Sequence, residues 1–208
     1  MNYWQFITLS LLFSLIFFFY SSGVAGEFNP EIEIGDKAPV WENLPGVDGK
    51  THSLADLKDK QLIVLAFTCN SCPYSVDYED RLIALAKKYS GKESKVAVVA
   101  INCNKVPEDS LEAMQDRATE KKFNFPYLYD ESQDTGRKIG AIRTPEFFVL
   151  DQKRTVIYMG AMDDSTDASK VKTNYIQLAI NAGLKGELPK TTETIAIGCN
   201  IRYKRVRR

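Results

Sequence analysis

The six residues Leu62–Phe67, LIVLAF, are apolar without a break. A strand with one wet face alternates apolar and polar residues, so an unbroken apolar strand has to be covered on both faces, as in a parallel sheet with helices above and below. Lys95–Asn102, KVAVVAIN, is a second strand of this kind. The segment between them reads as a helix whose buried stripe is approximated by Val76, Leu82, Leu85 and Tyr89, with Gly91 ending it. The remaining pattern continues the alternation. PEDSLEAMQDRATEKKF is a helix with Pro107 in its first turn and its acids early, where the helix dipole favours them. FPYLYD is a short strand and SQDTGRKIGA a short helix. PEFFVLD, the turn QKR and TVIYMGAM form a hairpin, and ASKVKTNYIQLAINAGLKG is a last amphipathic helix ending at Gly186. Upstream, GVDGK is a hairpin turn and Ser53–Asp56 a capping box opening a short helix. This order predicts an α/β fold with a central mixed β-sheet flanked by helices.

The chemistry concentrates directly after the first strand, in FTCNSCPYS, Phe67–Ser75. A structural zinc site wants paired Cys or His ligands. Cys69 and Cys72 supply one pair, whereas Cys103, Cys199 and His52 are isolated in sequence. A staple is also a weak use, because closing so short a loop removes little entropy from the unfolded chain. Redox exchange suits the position. A Cys-x-x-Cys between a buried strand and a helix puts a thiol at the helix N-terminus, where unpaired amides and the dipole favour the thiolate. On this count Cys69 is the attacking thiolate, and Cys72, one turn in, resolves the mixed disulfide. Cys103 suits a small buried hydrophobe. Cys199 is either a third redox thiol, a partner for Cys103, or inert.

LIVLAFTCNSCPYS, IRTPEFFVLD and IGDKAPVWENLPGVDGKTHSLADLKDK together resemble the thioredoxin-like redoxins, of the alkyl-hydroperoxide-reductase and thiol-specific-antioxidant type. The likeness spans about residues 32–186. It implies a thioredoxin-like fold and no organic cofactor. It also implies that Thr144-Pro145 is the Thr-Pro pair whose cis proline faces the cysteines and binds substrate. Arg143 resembles the peroxiredoxin arginine of the peroxide site. The departures are specific. No Trp precedes Cys69, and Ile63 stands where thioredoxin has a buried Asp, so proton handling is unassigned. Neither cysteine has the peroxiredoxin Pro and Thr upstream. The function implied is an exported thiol-disulfide oxidoreductase acting on protein substrates. A peroxiredoxin-like thiol peroxidase is the alternative, and a non-enzymatic metal-binding or adaptor module is the alternative of another class.

Three segments follow along the 208 residues: 1–25, 30–188 and 189–208. No charged side chain precedes Glu27, and the apolar Phe6–Tyr20 with small residues after it reads as a signal peptide cleaved after Ala25 or as a membrane tether through residues 6–20. Either places the 30–188 redoxin domain outside the cytoplasm, periplasmic or secreted, where disulfides persist. The expected partners are protein thiols and a redox donor or acceptor, for a monomeric chain. The net charge is zero, but RYKRVRR at the end holds five of 27 basic groups. With no basic patch interleaved with aromatics in the body, nucleic-acid binding is not expected. The tail, Thr194–Tyr203, alternates as a strand with Ile195, Ile197 and Cys199 on one side, so it is expected to lie against the domain.

Overall fold

A computed structural model describes residues 26–205. The signal or tether expected at residues 1–25 lies outside them, and no helix among the described residues is long and apolar enough to cross a membrane. A small hairpin, β1 (Leu44–Pro45) and β2 (Thr51–His52), comes first, then a 3₁₀ turn at Leu54–Leu57. Asp56 accepts the Ser53 amide there at 2.7 Å, within the expected capping box. The main run is β3 (Leu62–Phe67), α1 (Pro73–Lys88), β4 (Val96–Asn102), α2 (Leu111–Lys121), β5 (Tyr127–Tyr129), α3 (Asp134–Ile139), β6 (Arg143–Thr144), β7 (Glu146–Leu150), β8 (Val156–Gly160), α4 (Tyr175–Gly183) and β9 (Cys199–Asn200).

Five strands form the central sheet in the order β5-β4-β3-β7-β8. β3 runs parallel to β4, β4 parallel to β5, while β7 and β8 are antiparallel to their neighbours. The mixed sheet expected from the alternation is therefore present. All six residues of β3 are buried, since it is the middle strand and each face meets its own core. Val64 and Ala66 join Tyr78, Leu82 and Ile180 on one side, and Ile63, Leu65 and Phe67 join Trp41, Phe148 and Ile139 on the other.

Three expectations need correction. Val76 is exposed, and the inward stripe of α1 is Ser75, Tyr78, Glu79, Leu82, Leu85 and Ala86. The last helix is shorter than its apolar pattern. Asn174 caps it by accepting the Gln177 amide at 2.8 Å, and Ala168–Lys170 is a separate 3₁₀ turn. In the tail it is Ala196 and Ile201 that are buried, while Ile195 and Ile197 face water. Only Cys199–Asn200 is strand, so a two-residue alternation could not set the faces of the whole segment.

Candidate active site

β3 ends at Phe67, and the Thr68 amide still follows the sheet, donating to Ile101 O at 3.0 Å. The chain then turns through Cys69–Ser71 into α1. The N-cap of that 16-residue helix is Cys72, with Pro73 in its first turn. The helix thus begins three residues later than the sequence suggests: Cys72, not Cys69, occupies the N-terminal position. The turn is held by Asp109, which is fully buried. Its Oδ1 accepts the amides of Asn70 (2.7 Å) and Ser71 (3.1 Å), and its Oδ2 accepts the Ser71 hydroxyl (2.6 Å) and the Asn104 amide (3.0 Å). Tyr127 also donates to Asn70 Oδ1, at 3.1 Å.

Both sulfurs converge on one residue of the facing strand. Cys69 Sγ lies 3.3 Å from Thr144 Oγ1, and Cys72 Sγ donates to Thr144 O at 2.9 Å. The Thr144–Pro145 peptide is cis, and both residues are buried. All four cysteines are free thiols.

The two thiols are driven apart in acidity. Cys69 is pushed up, first because it donates to the Cys72 sulfur, then by burial, then by the Asp109 carboxylate. Cys72 is pulled down, first by that same Cys69 donor. Burial opposes this, and the Cys199 thiol and the amides of Ser75 and Cys199 add to it. The bond from Cys72 to Thr144 O argues the other way, because it needs the S–H, and the Ser75 amide closes no full capping bond. We assign the lower pKa to Cys72. Several donors and a helix N-terminus outweigh one carbonyl, whereas Cys69 faces a carboxylate.

The remaining site residues fall into two groups. Arg143 and Cys199 join the pair. β6 pairs antiparallel with β9, Thr144 opposite Cys199 and Arg143 opposite Asn200. The Arg143 guanidinium donates to Gly198 O at 3.1 Å, so it holds the tail. Cys199 is only partly buried and its pKa is raised to about 11, by burial and then by Cys72. Cys103 and His52 lie elsewhere. Cys103 is buried in the second core beside Tyr203 and pushed up to about 12, mainly by burial, and no disulfide joins it to Cys199. His52 pairs with Asp48 at 3.0 Å within the first hairpin. Among the described residues no group of His, Cys, Asp or Glu is arranged to hold a metal ion.

Two residues that hold the site together were missed in the sequence. Asp109 read as an early acid of the second helix, but α2 starts at Leu111 behind its N-cap Ser110. Pro107–Asp109 is a separate 3₁₀ turn that aims the carboxylate into the site. Glu146 looked like an ordinary strand residue. It is 4% exposed and its Oε2 accepts the amides of Ile142 (2.8 Å) and Arg143 (2.9 Å), which fixes the loop ahead of Pro145. Nothing in a single sequence marks either residue, since both act through partners distant in the chain.

The redoxin family model matches residues 33–175. No curated protein matches. Among solved structures, the chain is similar to a hypothetical protein of Sinorhizobium meliloti 1021, with 34% identity, 85% of this chain and 97% of that one covered, and a TM-score of 0.77. An uncharacterized conserved protein of Geobacillus kaustophilus gives 34% identity, 87% and 96% coverage, and a TM-score of 0.77. A peroxidoxin of Mycobacterium tuberculosis shares the fold at 23% identity, covering 65% of this chain and 89% of its own, with a TM-score of 0.53. With a thioredoxin-like fold, a helix-capping Cys-x-x-Cys facing a cis proline, and a family match over most of its length, this chain belongs to the redoxin family.

Proposed function

We propose that this redoxin is an exported thiol-disulfide oxidoreductase that uses Cys69 and Cys72 on protein substrates. The observation that carries this reading is the convergence of both sulfurs on Thr144 at the head of α1. Cys72, favoured as the thiolate, is the attacking sulfur. Cys69, which keeps its proton, closes the intramolecular disulfide. Thr144 and Pro145 form the wall that holds the sulfurs, and Asp109 fixes the turn that carries Cys69. No bound cofactor enters the chemistry. Export rests on the apolar segment Phe6–Tyr20 ahead of the domain.

The peroxidase alternative leans on Arg143. That guanidinium already donates to Gly198 O, which favours a part in holding the tail. The test is reduction of insulin disulfides with dithiothreitol as donor. The wild-type chain is expected to turn over, and Cys69→Ser and Cys72→Ser to lose at least 90% of that rate. Thiol oxidation that depends on hydrogen peroxide, without insulin reduction, would instead support the peroxidase. A stoichiometric bound metal with neither activity would support the metal-binding module.

A further inference from the structure

The wall that should receive a partner is already occupied. Thr144 offers its backbone edge to one extended segment, and β9 takes it, with Cys199 directly opposite Thr144. The approach is close: a Cβ at Gly198 would overlap the Thr144 carbonyl, so the tail seats there only because residue 198 is glycine. The segment is fastened on both sides. Upstream, Thr194 Oγ1 accepts the Ala161 amide at 2.9 Å. Downstream, the Ile201 amide donates to Ile142 O at 3.0 Å, and the Tyr203 hydroxyl donates to Ala141 O at 2.7 Å.

This arrangement decides which sulfur a partner can meet. Cys69 is 3% exposed and Cys72 1%. Cys199 lies opposite Thr144 and beside Cys72, is the most accessible of the four thiols, and has the exposed apolar Ile197 two residues away. A protein disulfide arriving at this face meets Cys199 first.

We propose that Cys199 is a third redox thiol, exchanging disulfides with Cys72 inside the molecule and with the protein partner outside it. The proposal rests on the oxidoreductase reading given above. In the inner step the Cys199 sulfur attacks the Cys72 sulfur of a Cys69–Cys72 disulfide. The Cys72–Cys199 bond forms, the Cys69–Cys72 bond breaks, and its electron pair leaves on Cys69. The proton shed by Cys199 ends on Cys69, and no electron is gained or lost. In the outer step a partner thiolate attacks the Cys199 sulfur of the Cys72–Cys199 bridge. Cys72 leaves as the thiolate, and the more acidic thiol is the better leaving group. Run in reverse, Cys72 attacks the Cys199 sulfur of a mixed disulfide and releases the partner's thiol.

Peptide mapping of the full chain after diamide oxidation and acid quenching tests the inner step, and insulin reduction tests the outer one. Wild type should give Cys72–Cys199 beside Cys69–Cys72, and Cys69→Ser should give Cys72–Cys199 alone. Gly198→Ala, which displaces the tail and with it Cys199 but removes no thiol, should give only Cys69–Cys72. Cys199→Ser should still form Cys69–Cys72 but reduce insulin at least tenfold more slowly. The proposal is overturned if neither wild type nor Cys69→Ser yields a Cys72–Cys199 peptide, or if Cys199→Ser reduces insulin at the wild-type rate. Insulin reduction by wild type with no such bridge would sink the third thiol and leave the oxidoreductase standing. The bridge without insulin reduction would keep the third thiol and sink the protein-substrate reading.

Discussion

At the scale of single residues, the site turns on a difference of three positions. The Cys-x-x-Cys spacing was plain in the sequence, but which thiol caps the helix was not, because that depends on where the turn ends. Asp109 decides it by holding the amides of Asn70 and Ser71 outside the helix. The consequence is measurable by alkylation of the reduced chain with iodoacetamide between pH 5 and 7. Cys72 is expected to label faster than Cys69, and the opposite order would return the attacking role to Cys69. Asp109→Asn keeps an acceptor for the two amides and removes the charge beside Cys69. It should lower the Cys69 pKa and raise its labelling rate severalfold at a given pH. An unchanged Cys69 profile would show that the carboxylate acts only as an anchor.

At the scale of elements, β3, β4, β5 and the β7–β8 hairpin were legible because continuous apolar runs leave few alternatives. The limits of α2 and α4 were not. Ser110 and Asn174 each accept an amide three residues on, and polar caps of this kind override a propensity that runs further. The short β6 could not be seen as paired with the tail, since its register depends on contacts 55 residues apart such as Arg143 with Gly198. Glu146 supports that element and links it to pH. Burial raises its pKa to about 7, against the two amides it accepts and the charge of Arg143. A carboxyl whose folded pKa lies above its unfolded value stabilises the fold fully below the unfolded pKa, and that stability is lost as pH rises through the folded one. Thermal stability should therefore fall from about pH 4.5 to 7, by on the order of 3 kcal/mol from this group. Glu146→Gln should flatten the slope in differential scanning calorimetry. A slope that survives the substitution would place its origin in other groups.

At the scale of the whole molecule, the sequence conveyed the layers and the family likeness but not the ties between distant segments. One of these joins α1 to the loop after β8. Arg81 Nη1 donates to both oxygens of the buried Asp163, at 2.8 and 2.7 Å, and Tyr78 adds its hydroxyl at 3.1 Å. Removing one member of such a buried pair leaves the other uncompensated, typically at a cost of about 3–5 kcal/mol. Asp163→Asn is expected to lose stability in that range in urea unfolding while the Cys69–Cys72 disulfide still forms. A loss under about 1 kcal/mol would mean that water already reaches Arg81.

The tail has one more effect, apart from its thiol. An open sheet edge is a template for another chain, and folded proteins blunt it. Here the backbone of Met159 in β8 exchanges hydrogen bonds with Thr192 and Thr194, and Gly35 and Asp36 bond to Val156 further along the same edge. On the opposite side the Val47 amide donates to Tyr127 O at 3.0 Å, and Gly46 bridges to Leu128. Both rims of the five-stranded sheet are therefore already occupied by the chain's own loops. A neighbouring copy finds little free ladder there to extend, which guards against strand-by-strand aggregation.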